Sequence, residues 1–389
     1  MQNERKRILT MLENGTITTE EALTLLEKLG ESKRETSQTS NTSESNTGTT
    51  DQGGTQDTTS NQRQESKGFG KQSSMDEFLQ DLQRDFSQVG DRFMQFMQTA
   101  VEKVKTFDFD SPLGTSVSFH EESTKDATGV TEVVVDIDNG KLNIIPTEAE
   151  EVRAAFSVRA FRADSEEAAR KEFADKVLFV NDGNKLRIVS HLKMVQVNVD
   201  LYIPNREYEK LSVRLLNGAF KTREMNVRDI QVKTANGKVD VADTTFKTAD
   251  IETVNGAIQL NGLEGETLEA ETLNGRVYID GKLKDVEAQS LNGHVVVTTT
   301  DVDARKVEAK TVTGAVELYV PKEVPLSGEI STNMGRLDLQ LTDVERTSEQ
   351  EQIFQRTLRF KKDVEGGQTP LHIFGEARTG SVLVCYTAE

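Results

Sequence analysis

The chain has 389 residues, enough for two or three domains, and its 35% hydrophobic content is low for one globular unit, so part of it is expected outside any core. A formal net charge of −18 argues against phosphate-backbone binding, so no nucleic-acid partner is expected, and it suits cationic partners instead. Cys385 is the sole cysteine, which excludes an intramolecular disulfide; no apolar run approaches the roughly 18–20 residues of a membrane span, and residues 1–30 show no secretory signal.

Residues 1–30 read as a helical hairpin. Ile8, Leu9 and Leu12 share one helical face, Asn14-Gly15 stops that helix, and Thr18 and Glu21 have the spacing of a capping box for a second. The hairpin is too small to be stable alone, so docking or self-association is expected. A DNA-reading pair would rest on Arg5-Lys6-Arg7 alone, and a solvated helix end explains that cluster better. Residues 31–72 are expected to be a disordered polar linker, because Glu31 to Gly68 offers no aliphatic, aromatic, Met or Cys side chain. Residues 73–106 predict a long amphipathic helix: Phe78, Leu82, Phe86, Val89, Phe93, Phe96, Ala100 and Val104 recur at helical spacing behind a Ser74–Glu77 capping box. Its slight excess of acids favours packing, on the next domain or as a coiled coil, over a membrane-surface role.

Residues 107–389 predict a mainly β domain with one short helix over residues 164–174. Its second half repeats one phrase: TANGKVDV, TVNGAIQL, TLNGRVYI, SLNGHVVV, TVTGAVEL and TNMGRLDL. The anchor glycines are Gly237, Gly256, Gly275, Gly293, Gly314 and Gly335, at spacings of 19, 19, 18, 21 and 21. Two and four residues after each stands an aliphatic side chain, and three before each stands Thr or Ser. Each repeat is thus two strands joined at a corner. The recurring hydroxyl favours a parallel β-solenoid over an antiparallel meander, because only stacking explains it, with the hydroxyls expected to hydrogen-bond to one another up and down the coil. The structural corners are Asn236-Gly237, Asn255-Gly256, Asn274-Gly275 and Asn292-Gly293, with the four amides expected to form a ladder. Gly140 and Gly380 carry the same aliphatic pair, whereas Gly218 is a poor copy, with Thr222 where an aliphatic residue belongs.

Stacking would put Asp250, Glu269, Glu287, Glu308 and Glu329 in one outward column, with Glu252 and Glu271 beside it. A solvated face explains such a column; a rail for a cationic peptide is the functional alternative. A flat column supplies a divalent ion poorly. No cofactor and no catalytic residue is expected: His120, His191, His294 and His372 lack metal-ligand spacing and read as surface residues, and neither a nucleophile elbow nor a phosphate loop occurs. The rungs lack the loop insertions of polysaccharide-cutting β-helix enzymes, and Cys385 reads as a buried or half-buried strand residue.

The T-x-N-G rungs resemble the bacterial adhesin-like β-solenoid domain family, a domain of unknown function. RILTMLENGTITTEEALTLLEKL resembles the short helical domain that opens one branch of it. Helical module, polar tether and β region together resemble the YvlB- and LiaX-type proteins of Firmicutes. The resemblance implies a non-enzymatic envelope-stress protein that senses cationic antimicrobial peptides such as daptomycin, associated with the cell surface, the alternative being the cytoplasm, which the single cysteine fits equally. It implies signalling membrane proteins as further partners, with the N-terminal part binding peptide and the β part restraining the signal. The rivals are a structural, self-assembling or adhesin-like protein, associating through residues 1–30 and 73–106, and a carbohydrate-active β-helix enzyme.

Overall fold

The computed structural model describes residues 116–352, 355–364 and 369–387. The expected hairpin (1–30), linker (31–72) and amphipathic helix (73–106) lie outside the described residues. In chain order, the N-terminal part carries β1 (Ser116–Asp126), β2 (Glu132–Asn139), β3 (Leu142–Thr147), β4 (Glu151–Phe161), helix α1 (Glu166–Lys176), β5 (Val177–Asp182), β6 (Lys185–Ser190) and β7 (Val195–Pro204). The periodic part carries β8 (Glu207–Asn217), β9 (Phe220–Arg223), β10 (Asn226–Asn236), β11 (Val239–Ala242), β12 (Thr245–Asn255), β13 (Ile258–Asn274), β14 (Val277–Asn292), β15 (Val295–Thr299), β16 (Lys306–Thr313) and β17 (Val316–Val320). The C-terminal part carries β18 (Leu326–Thr332), β19 (Leu337–Gln340), β20 (Glu345–Gln352), β21 (Gln355–Lys362), β22 (Leu371–Thr379) and β23 (Val382–Tyr386).

Equivalent strands stack in parallel and in register, so the chain coils as a two-sided solenoid. Val232 pairs with Ile251, Ile251 with Ala270, Ala270 with Ala288, and Ala288 with Ala309. After each corner, Val239 pairs with Ile258, Ile258 with Val277, Val277 with Val295, and Val295 with Val316. These two sets face each other and are buried to 1% exposure or less, which is the core the alternation foretold. The strands before the corners make one sheet and the strands after them the other. β13 and β14 run from one sheet into the next, contributing to two rungs each.

The corner has a physical cause. A Cβ on Gly275 would fall 1.9 Å from the carbonyl oxygen of Gly256, and one on Gly256 would fall 2.0 Å from that of Gly237. The glycines are therefore required by backbone contact between rungs rather than by a hairpin turn. The Asn column is a continuous ladder: Asn236, Asn255, Asn274 and Asn292 each donate from Nδ2 to the Oδ1 of the preceding Asn at 2.8–2.9 Å. It continues through Asn217 to Asn139, whose own Nδ2 meets the Leu192 and Lys193 carbonyls. The Thr and Ser hydroxyls do not bond one another. Thr253, Thr272, Ser290 and Thr311 each donate to the preceding glycine carbonyl at 2.8–3.2 Å.

Three sequence readings need correction. Gly218 is a full rung: Phe220 is buried beneath it, and Thr222 fits the aliphatic column by donating its hydroxyl to the Ile144 carbonyl at 3.1 Å. The expected helix over 164–174 starts and ends two residues later, as Glu166–Lys176, because the Ser165 side chain caps it at the Ala168 N–H. The rungs also do not follow chain order at either end. β22 and β23 lie between β16–β17 and β18–β19, so the Gly380 corner separates Gly314 from Gly335. Likewise β2 and β3 lie between β6–β7 and β8–β9.

The stack ends are closed differently. At one end β5 and β1 add antiparallel edges through β6 and β4, and α1 seats Phe173 edge-on against Phe119 and Phe156 at 5.7 and 5.3 Å. At the other, the antiparallel β21 and β20 cover β18. Such terminal structure protects a hydrogen-bonding edge from pairing with another chain.

Candidate functional site

The outer face of the sheet before the corners bears three adjoining columns. The first is the expected rail. Asp250, Glu269, Glu287 and Glu308 do pair rung to rung. Glu329 does not follow them: Phe374 pairs with Glu308 on one side and Glu329 on the other, because β22 is inserted there. The rail is also largely neutralised. Lys306 reaches Glu287 at 3.5 Å and also pairs with Glu308, which takes a second ion pair from Lys310. Arg359 holds Glu329 at 2.7 Å, and Lys233 stands 3.8 Å from Asp250. Burial would raise the Glu308 carboxyl, but hydrogen bonds from Lys306 and Lys310 override it and hold it below its ordinary range. Interleaved cations answer the repulsion that like charges on neighbouring strands would feel.

The second column lies two residues closer to the corner: Asp136, Arg214, Lys233, Glu252, Glu271, Gln289 and Lys310. Glu252 and Glu271 are each only 6% exposed. Lys233 hydrogen-bonds Glu252 Oε1, but Glu252 Oε2 and Glu271 Oε1 are buried without a hydrogen-bond partner. Burial first, then the charges of Glu269, Glu252, Glu287 and Asp250, push the Glu271 carboxyl up to about 8. Burial likewise raises Glu252, with Lys233 opposing.

The third column occupies the position between the Thr/Ser and the Asn of each rung: Leu216, Ala235, Val254, Leu273, Leu291 and Val312. These aliphatic side chains point away from the core, where a solvated sheet would carry polar ones, yet Leu216 and Ala235 are buried and the other four half-buried. Leu216 and Ala235, with half-buried Val254 against them, form an apolar cluster separate from the core. At about 4.8 Å per rung, six rungs make a stripe roughly 24 Å long.

At the N-terminal end of the stripe, Asp136, Asp138 and His191 bring one ligand atom each within 4.8 Å of one another, and His191 Nδ1 stands 3.4 Å from Asp138 Oδ1. Sequence spacing hid this cluster, since strand pairing alone joins His191 to β2. The four histidines are exposed and Cys385 is half-buried, as their sequence settings suggested. The stripe and the two orphaned oxygens were the features that sequence reasoning missed. The stripe was readable as the variable position of T-x-N-G; the orphaned oxygens required knowing which carboxylates find a lysine.

Among the described residues, no helix is long and apolar enough to cross a membrane. The Toastrack family model (DUF4097) matches residues 130–365, and a SHOCT-like domain model matches residues 3–34. The uncharacterised protein YvlB of Bacillus subtilis (strain 168) is 37% identical over 396 residues, covering 100% of both chains. Similarity also extends to two solved proteins of Parabacteroides distasonis. One, a candidate adhesin, is 12% identical, covers 69% of this chain and 97% of its own, and has a TM-score of 0.40. The other, a candidate lipid-binding protein, is 11% identical over 69% and 95%, with a TM-score of 0.38. At those scores the superpositions carry no argument about ligand or mechanism. The match to more than half the chain and the full-length relative place it in a family: the chain belongs to the Toastrack DUF4097 family and is a YvlB-like member of it.

Proposed function

We propose that the chain is a non-enzymatic binding and regulatory protein of the bacterial envelope-stress response, and that its outer face receives a cationic amphipathic peptide of the antimicrobial type. The observation that carries this reading is the pair of orphaned oxygens, Glu252 Oε2 and Glu271 Oε1, on carboxylates that are each 6% exposed beside an aliphatic stripe. Burying a carboxylate without a full set of donors costs stability, and a guanidinium or ammonium group supplies the missing donors. Adjacent rungs offer carboxylates about 4.8 Å apart, a span that one guanidinium can bridge. The stripe then takes the apolar side of the same ligand, as grooves that receive amphipathic helices do. The first rail, already paired with lysines, sets the surrounding field rather than the contact.

The test is equilibrium binding of a labelled cationic amphipathic peptide to the full-length protein and to Glu252→Gln/Glu271→Gln. At least a tenfold loss of affinity with a flatter salt dependence is expected. Charge reversal at Asp250, Glu269, Glu287 and Glu308 should act through salt dependence, with a smaller loss at high salt. Unchanged affinity in the Glu252/Glu271 variant would remove the reading.

A further inference from the structure

We propose that Asp136, Asp138 and His191 bind a divalent transition ion of the Zn²⁺ class, and that the ion ties β6 to β2 where β2 is inserted into the stack. The site is separate from the peptide contact at Glu252 and Glu271. Three observations carry this assignment.

The first is how the backbone delivers the ligands. Asp136 and Asp138 are two residues apart on β2, so they share its outward face. β6 pairs beside β2 and ends with Ser190 opposite Ile137, which brings His191 level with Asp138. The backbone of His191 is held on both sides. Ser190 and Leu192 are buried, and Asn139 Nδ2 donates to the Leu192 and Lys193 carbonyls at 3.1 Å each. The imidazole itself is 51% exposed and keeps the freedom to turn toward an ion.

The second is distance. One ligand atom from each residue lies within 4.8 Å of the other two. His191 Nδ1 stands 3.4 Å from Asp138 Oδ1, longer than the about 2.7–2.9 Å of a charge-assisted hydrogen bond. Two ligands each about 2.0–2.1 Å from a tetrahedral Zn²⁺ stand about 3.3–3.4 Å apart. The His191–Asp138 pair therefore already has the spacing of one edge of a zinc coordination shell. Asp136 closes on it by side-chain rotation, and three protein ligands leave the fourth position to water.

The third is chemistry. Asp138 is only 6% exposed, and it occupies the column that reads Leu216, Ala235 and Val254 on the following rungs. Buried carboxylates are paired or coordinate metals, and the imidazole beside this one serves either purpose. Arg214 stands in register with Asp136 on the next rung, so its guanidinium offsets one of the two carboxylates. That offset disfavours a hard ion such as Ca²⁺, which gathers about six to eight oxygens. An imidazole with two carboxylates suits Zn²⁺ instead.

Asp138 and His191 are 53 residues apart in the chain, and β2 lies between β6 and β8 out of chain order. An ion shared by β2 and the end of β6 fixes that inserted rung against its neighbour.

The experiment is calorimetric titration of Zn²⁺ into the metal-free, full-length protein carrying Cys385→Ser, so that no thiol competes. His191→Ala is the test variant; it changes an exposed side chain, so a lost site is not a lost fold. His294→Ala, at another exposed histidine, is the control. One ion per chain is expected in the parent and in His294→Ala, with at least tenfold weaker binding in His191→Ala. A hundredfold excess of Ca²⁺ should not displace the Zn²⁺. Zn²⁺ should also slow hydrogen exchange at Val135 and Ile188, which pair across β2 and β6, at least threefold in the parent and not in His191→Ala. Equal affinity in His191→Ala and the parent, or an equal loss in both histidine variants, would mean an adventitious ion only and overturn the site. Displacement by Ca²⁺ would reduce it to acidic surface, and unchanged exchange with Zn²⁺ bound would remove the tie between the strands.

Discussion

Replacing Gly275 by Ala tests why the corners carry glycine. The added Cβ would sit 1.9 Å from the Gly256 carbonyl oxygen and 2.6 Å from its carbon, whereas ordinary contact begins near 3.4 Å. The two rungs must therefore part by about 1.5 Å at that point. Three bonds cross it: the Gly256 N–H to the Asn274 carbonyl at 3.0 Å, the Thr272 hydroxyl to the Gly256 carbonyl at 3.0 Å, and the Asn274 amide to Asn255 at 2.8 Å. At about 1 kcal/mol each, with about 1–2 kcal/mol of displaced packing around Ile258 and Val277, the expected cost is about 4–5 kcal/mol. Urea unfolding of the full chain, with midpoint and slope fitted together, measures it. Gly129→Ala is the control: its Cβ would meet nothing within 4 Å, but its φ of +74° is strained for Ala, so about 1 kcal/mol is expected. If Gly275→Ala costs no more than Gly129→Ala, the close-approach explanation of the corner is wrong.

The Asn ladder should be least tolerant in its middle. Asn255→Ala removes two amide bonds and is expected to cost about 1–2 kcal/mol, against about 0.5–1 kcal/mol for Asn292→Ala at the end, read from urea midpoints. Glu271 has a folded pKa of about 8, above its unfolded value of 4.5, so the folded state binds the extra proton between those two pH values. Its contribution to stability is thus greatest below about pH 4.5 and falls as pH rises to about 8; Glu271→Gln should raise the melting temperature at pH 8 and flatten the profile between pH 5 and 8. Truncation after residue 364 should unfold the β18–β19 end, seen as lost hydrogen-exchange protection at Ile330, because it removes an interior rung rather than a tail.

Much of the solenoid was legible because each rung repeats its own physics. Asn274, Gly275, Val277 and Ile279 each sit where their repeat position said, since stacking gives all copies of a position one environment. What could not be read was rung order. Phe374 shows no sign in sequence that it falls between Glu308 and Glu329, because a one-dimensional period does not say which neighbour lies 66 residues away. The same ignorance exaggerated the acidic rail. Lys306 and Lys310 flank Glu308 at i−2 and i+2 on the same outward face, a pairing visible once the strand is fixed but easily passed over in a count of carboxylates. The Thr222 misfit was a failure of a different kind: an aliphatic rule was applied where a buried hydroxyl with a carbonyl partner serves as well.

The two out-of-order insertions bear on the site itself. A simple coil can add or lose a terminal rung, because each rung contacts only its neighbours. Here strands close in sequence to the two ends of the β region, β2–β3 and β22–β23, are interior rungs, with Val133 paired to Leu211 and Val307 to Ile373. These pairings join residues 78 and 66 positions apart, so they form late and tie the ends of the stack to its middle. The carboxylates and the stripe lie on the run from β8 to β16, between those two ties. The spacing between the carboxylates of neighbouring rungs depends on rungs that cannot slide or fray. Locking both ends preserves that spacing across the face.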